Sequence, residues 1–135
     1  MPLSPTKQHL SLLSLLLSHG FISSVSYGST STSSSIPPDP ASFRDARTAD
    51  RRVWAELKYR AEQPVLAKMS LVSHPSRRVF MDPGEISRFV QGARVKFVPG
   101  LVLGEVALVN SSQGWLEGRE AVRRGVGGEV IARVR

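Results

Sequence analysis

Short polar side chains gather in one run of this sequence, Asn110-Ser111-Ser112-Gln113-Gly114, and Arg119, Arg123, Arg124 and Glu129 follow it. Hydroxyl and amide groups this short, beside exposed backbone N–H groups, reach sugar hydroxyls, phosphates and base edges in an irregular RNA groove where longer side chains would collide. Gly114 permits positive φ and close approach. The same composition also makes an ordinary hairpin turn, so the run by itself leaves both readings open. Arg77 and Arg78 stand beside Pro75 on an extended segment, while Arg119 and Arg123, four apart, share one face of a short helix. Guanidinium groups suit phosphates through bidentate geometry. Singly each arginine fits a solvated surface; as a set they make a phosphate-positioning surface, to which Lys7 and Lys96 are weaker additions. Glu129 either accepts hydrogen bonds from base amino groups or is a solvated glutamate at the start of a strand. Trp115 either stacks on a base or covers the edge of its lobe.

Other chemistries find little footing. The chain has no cysteine, which removes disulfides, thiolate nucleophiles and cysteine-based zinc sites together. His9, His19 and His74 have no metal-ligand spacing, and the glycines Gly125, Gly127 and Gly128 match neither the dinucleotide nor the P-loop pattern. A small hydrolase would need a nucleophile elbow or a triad setting, and the sequence offers neither. No cofactor and no small-molecule substrate is expected. Lys and Arg number 18 against 11 Asp and Glu, a net charge of +7, and such a balance favours polyanions because neutralised phosphates release counterions.

The elements that must position these residues follow from pattern. At 135 residues with 41% hydrophobic content, one compact domain or two small lobes can close around a modest core. Residues 10–17, LSLLSLLL, resemble the centre of a secretory signal but are too short to span a bilayer, which needs about 20 apolar residues. A small secreted or membrane-associated protein is the alternative this run suggests. The absence of acidic residues before Asp39, with abundant serine, leans instead towards a mitochondrial presequence, although no arginine precedes Arg44. Leu10, Leu13, Leu16 and Leu17 follow helical spacing with Leu12 and Leu15 beside them; Ser4 or Thr6 suits the cap and Gly20 the stop. A strand over 21–27 should follow. Residues 28–40, rich in Ser, Thr and Pro, read as a flexible loop, and 39–52 as charged and partly disordered.

Strands are expected over 52–59 and 65–73, with 79–80 extended. Asp82-Pro83-Gly84-Glu85 then carries an N-cap, a proline at the first helical position and the reciprocal glutamate. Ile86, Phe89 and Val90 give that helix its buried stripe, and Gly92 ends it. Further strands are expected over 93–98, 105–110 and 129–134, a tight turn over 112–114, and a short basic helix over 118–124 ended by Gly125. Trp54, Tyr59, Phe80 and Phe89 read as core or inter-lobe packing. Strands and helices alternate without regular βαβ spacing, so the class is α+β, with two small lobes.

The run Asn110 to Ala121, followed by Gly125-Val126-Gly127-Gly128-Glu129-Val130, resembles the signature of the eighth small-subunit ribosomal protein family. That signature is a Ser/Thr-Ser-x-Gly turn, a basic helix containing Glu-Ala, and a closing Gly-x-Gly-Gly-Glu strand. Ser73-His74-Pro75-Ser76-Arg77-Arg78-Val79-Phe80 is similar to the family's segment before its central helix. The leucine helix closing in Gly20-Phe21-Ile22, with Thr6-Lys7 ahead of it, is similar to the family's amino-terminal junction. Around Glu56 to Arg60 and Lys96 to Gly100 the wording resembles fungal mitochondrial members.

The resemblance implies an amino-terminal lobe of helices on a small sheet over 1–80, with the flexible Ser/Thr/Pro-rich loop at about 28–50, and a mainly β, rRNA-binding lobe over 81–135. It implies a non-enzymatic constituent of the small subunit, located in the mitochondrial matrix, that binds small-subunit rRNA during assembly. Its partners would be that rRNA and neighbouring ribosomal proteins, with no membrane. The RNA-binding set implied is Asn110, Ser111, Ser112, Gly114, Glu129, Arg77, Arg78, Arg119, Arg123 and Lys7. Family members are also expected to carry one further helix ahead of the point where this chain starts.

Overall fold

A computed structural model of the protein describes residues 1–31 and 38–135, and the chain divides into two compact units, Met1–Val65 and Leu66–Arg135. In the first, β1 (Pro2–Leu3) leads to α1 (Lys7–Ser18), β2 (Ile22–Ser29), α2 (Pro40–Asp45), β3 (Arg51–Leu57), β4 (Tyr59–Arg60) and β5 (Gln63–Pro64). The Thr6 hydroxyl caps α1 by accepting from the His9 amide at 3.2 Å, and Gly20, at φ +75°, follows its end. β3 lies between β1 and β2, antiparallel to both. Leu13 and Leu16 are buried, as are Ile22, Val53 and Ala55, while Leu17 at the end of the leucine run is exposed. Removing the run as a cleaved signal would strip two leucines from that interior.

Several expectations need correction here. Residues 28 and 29 belong to β2, and 32–37 of the expected flexible loop lie outside the described residues. The stretch read as charged and partly disordered holds α2, capped by the Asp39 carboxylate with Pro40 at its first position, then a 3-10 turn at Thr48–Asp50. The strand expected over 52–59 ends at Leu57, and β4 and β5 form their own hairpin, with Ala61 and Glu62 at φ 49° and 63°. Tyr59 is 62% exposed rather than packed.

The second unit contains β6 (Met69–Leu71), β7 (Phe80–Met81), α3 (Pro83–Val90), β8 (Val106–Ser111), β9 (Gly114–Glu117), α4 (Gly118–Arg124) and β10 (Gly128–Val134). The sheet runs β6-β10-β8-β9, and β7 also pairs with β10. Residues 66–80, expected in the first lobe, therefore belong to the second unit, because their strands find their partner in β10. Its interior joins Ile86 and Phe89 of α3 and Ala121 of α4 to Val109, Leu116 and Val130 of the sheet. The Asp82 capping box forms in full: Glu85 N–H donates to the Asp82 carboxylate at 2.7 Å, and Asp82 N–H donates to the Glu85 carboxylate at 3.1 Å.

Two strand expectations also change in this unit. The one over 65–73 contracts to Met69–Leu71. The one over 93–98 is replaced by a tight turn in which Val95 and Val98 exchange backbone hydrogen bonds at 3.1 and 2.9 Å, with Lys96 at φ 55°. Alternation at 93–98 reflects two buried valines anchoring a reversal, not a paired strand. Among the described residues no helix is long and apolar enough to cross a membrane, and no group of His, Asp and Glu is placed to hold a metal ion.

Candidate nucleic-acid interface

The serine run is the reversal between β8 and β9. Ser111 and Gly114 form its last rung, leaving Ser112 and Gln113 as a two-residue loop. The Ser111 hydroxyl is engaged inside this turn, donating to the Gly114 carbonyl at 2.8 Å and accepting from the Gln113 amide at 3.2 Å. Gly114 takes φ +99°, with nothing near the place a Cβ would occupy. Asn110 and Ser112 are exposed, and their side chains make no hydrogen bond among the described residues. Of the four positions expected to face a ligand, Ser111 and Gly114 thus shape the turn, while the Asn110 and Ser112 side chains remain open to one.

Register carries the site across the sheet. Phe80 stands opposite Glu129, Glu129 opposite Asn110, and Asn110 opposite Trp115, so these four side chains form a row on one face. The adjacent rung, Val130-Val109-Leu116, points to the interior, so the row faces away from it. Gly128 makes this register possible: a Cβ there would lie 2.3 Å from the Asn110 carbonyl oxygen.

Glu129 is only 8% exposed, which rules out the solvated-glutamate reading. Arg78 Nη1 donates to both of its carboxylate oxygens, at 3.0 and 3.3 Å, so the buried charge is paired. Arg78 thereby orients Glu129 and is not a free cation. Arg77, next to it, lies with its guanidinium 4.2 Å from the centre of the Phe97 ring. Lys96 donates to the Phe80 carbonyl and stands 3.5 Å from the Glu85 carboxylate.

The helical arginines sit elsewhere. α4 packs over the interior face of the sheet, the side opposite the row, and its arginines are matched by acids. Arg119 pairs with buried Glu117 at 3.4 Å, and Arg123 and Arg124 both reach Glu120, at 3.4 and 2.9 Å. The Arg124 guanidinium holds the Glu120 carboxyl below its ordinary range, with smaller help from Arg123. The expected phosphate surface on this helix is therefore largely neutralised at close range. Lys7 is the exposed first residue of α1 in the first unit.

Sequence reasoning missed Phe80 and Phe97 as surface groups. Phe80 is 58% exposed, and its neighbours Val79 and Met81 are both buried. That alternation was the available signal, because the residue between two inward side chains on an extended segment must face out. Phe97 was hidden by the strand reading of 93–98. Trp115 is half-buried in the row, which fits both covering the sheet and contacting a ligand.

Comparison with known proteins gives a consistent set of likenesses. The family model for ribosomal protein S8 matches residues 1–135. The chain is 38% identical to small ribosomal subunit protein uS8m of Neurospora crassa over 96% of its own length and 83% of the relative's. It is 36% identical to uS8m of Schizosaccharomyces pombe, over 93% of this chain and 81% of that one. With the bacterial uS8 of Mesoplasma florum it shares 29% identity over 94% of this chain and 76% of the relative.

Proposed function

The chain belongs to the ribosomal protein S8 family, and from that premise we propose that its second unit binds small-subunit rRNA through the β8–β9 turn and the row Phe80-Glu129-Asn110-Trp115. The protein is a structural constituent of the mitochondrial small ribosomal subunit, not an enzyme, in keeping with its fungal uS8m relatives. It associates there with rRNA and other ribosomal proteins.

The observation that carries the RNA assignment is the convergence at one end of the sheet. The Asn110 and Ser112 side chains, free of internal partners among the described residues, stand beside a buried and oriented carboxylate. Short donors and acceptors fixed on strand ends suit the sugar edges and bases of an irregular RNA surface. Glu129 supplies an acceptor for base amino groups, and Arg78 offsets its charge against the phosphates. Arg77 adds cationic character nearby, while Arg119, Arg123 and Lys7 serve as peripheral phosphate contacts.

Binding of full-length protein to a transcript of mitochondrial small-subunit rRNA tests this reading. Asn110→Ala with Ser112→Ala removes two exposed groups at about 1 kcal/mol each, so affinity should fall roughly thirtyfold. The melting temperature should hold. Undiminished affinity in a folded double variant would remove the proposed interface.

A further inference from the structure

The reversal at Val95–Val98 is anchored more firmly than a surface loop requires. Val95 and Val98 are buried, Arg94 donates to the Phe97 carbonyl at 3.4 Å, and Lys96 is tied both to the Phe80 carbonyl and to Glu85. What these ties present to solvent is Phe97, 43% exposed, with the Arg77 guanidinium over its ring. Arg77 comes from a second tight turn, in which His74 and Arg77 exchange backbone hydrogen bonds at 3.0 Å each. Two reversals thus hold a planar cation against an aromatic ring.

Among the described cations of this unit, Arg77 is the one that lies over an aromatic ring without a carboxylate partner. Arg78, Lys96, Arg119, Arg123, Arg124 and Arg133 each have a carboxylate partner within salt-bridge distance. Arg77 has none among the described residues, and its exposed guanidinium makes no hydrogen bond there. The Arg94 guanidinium meets the Phe97 carbonyl.

We propose that the Arg77–Phe97 stack is a platform for one unpaired nucleobase of the rRNA, a contact separate from the serine turn. The proposal rests on the RNA-binding reading above and extends it. A guanidinium held 4.2 Å over an aromatic ring makes a cationic and π surface for a base, and stacking of this kind tolerates any base because each has a π-face. The base must be unpaired or bulged, since a base within a duplex has both faces covered. A protein partner suits the surface less well: an apolar face laid over Arg77 would desolvate a cation that has no counter-charge, whereas RNA brings one in its backbone.

The test measures full-length protein against a 4-thiouridine-substituted transcript of mitochondrial small-subunit rRNA, across a range of KCl concentrations, with photocross-links mapped by peptide. Phe97→Leu keeps bulk and removes the ring; Arg77→Lys keeps charge and removes the plane. Each should weaken binding roughly tenfold with an unchanged salt slope, and the wild type should cross-link at Arg77 or Phe97. The Asn110→Ala, Ser112→Ala double variant should keep that cross-link at saturating RNA. Wild-type affinity in both variants would overturn the platform and leave the serine-turn reading standing. So would a silent Arg77→Lys alongside an Arg77→Ala that lowers both affinity and slope, the mark of a plain phosphate contact. RNA binding intact in Phe97→Leu, but with its incorporation into small subunits reduced, would make the surface a protein contact and equally end the proposal. Failure of the wild type to bind the transcript would end both readings together.

Discussion

At Gly128 β10 lies close against the β8 backbone, and Gly128→Ala tests whether that approach sets up the proposed interface. A methyl group there would lie 2.3 Å from the Asn110 carbonyl oxygen and 3.0 Å from both the Asn110 carbonyl carbon and Ser111 Cα. All three are backbone atoms of the neighbouring strand, so no rotamer change relieves the overlap. Ordinary contact begins near 3.4 Å, so the strands must part by about 1 Å at the rung that pairs Gly128 with Ser111. Overpacking of this kind costs about 1–3 kcal/mol. A ladder hydrogen bond stretched by that distance is lost, at about 1 kcal/mol more. A total of about 3 kcal/mol should lower the melting temperature by roughly 12 °C or more.

Calorimetry on the full chain reads that shift, and rRNA binding in folded protein reads its consequence. The same displacement separates Glu129 and Asn110 from the turn, so affinity should drop at least as far as in the Asn110→Ala, Ser112→Ala variant. Gly84→Ala is the matched control: its methyl group meets only the Asp82 carboxylate, at 3.3 Å, inside a helix where alanine is preferred. A Gly128→Ala protein that melts with the wild type and binds rRNA as well would refute the close-approach argument.

Two further outcomes concern stability. Asp82→Ala removes the side-chain half of the α3 capping box and should cost about 1 kcal/mol, seen as a lower urea midpoint with unchanged slope; no shift would mean the cap is redundant. Glu105 is held below its ordinary value of 4.5 chiefly by its hydrogen bond to Arg133, against the desolvation that raises it, with the Val102 amide adding to the lowering. Its contribution is therefore present above that value and is lost as pH falls through the depressed one. Urea midpoints of Glu105→Gln should lie below wild type at neutral pH and converge on it under acid; parallel curves at every pH would sink this assignment.

Local signals in the sequence were read most reliably where one residue type has one conformational use. Asp82-Pro83-Gly84-Glu85 marks the start of α3 in plain chemistry, and Gly125, at φ +65°, ends α4 as its residue type suggests. The turn expected over 112–114 was legible for the same reason. Asp39-Pro40 carries the same start signal for α2, but the serine- and proline-rich composition around it outweighed that local sign. The β4–β5 hairpin was illegible because its two central positions, both at positive φ, hold Ala61 and Glu62 where Asn-Gly would have announced the turn. Lys96 conceals the reversal at 95–98 in the same way. Long-range pairing was the other blind spot: residues 66–80 read as part of the first lobe because their partner strand comes much later. Arg78 and Glu129, 51 residues apart, gave no hint that they neutralise each other. Residue types at the candidate site were therefore readable, and their mutual pairing was not.

β10 bears on both β6 and β7 along one edge and β8 along the other, and every one of these strands precedes it in the chain. During synthesis the earlier strands must wait, unpaired across the middle, until the last of their shared spine has emerged. The helices α3 and α4 can form locally in the interval, but the row containing Glu129 cannot exist before the sheet closes. A nascent chain therefore gains the face proposed to recognise RNA late and all at once.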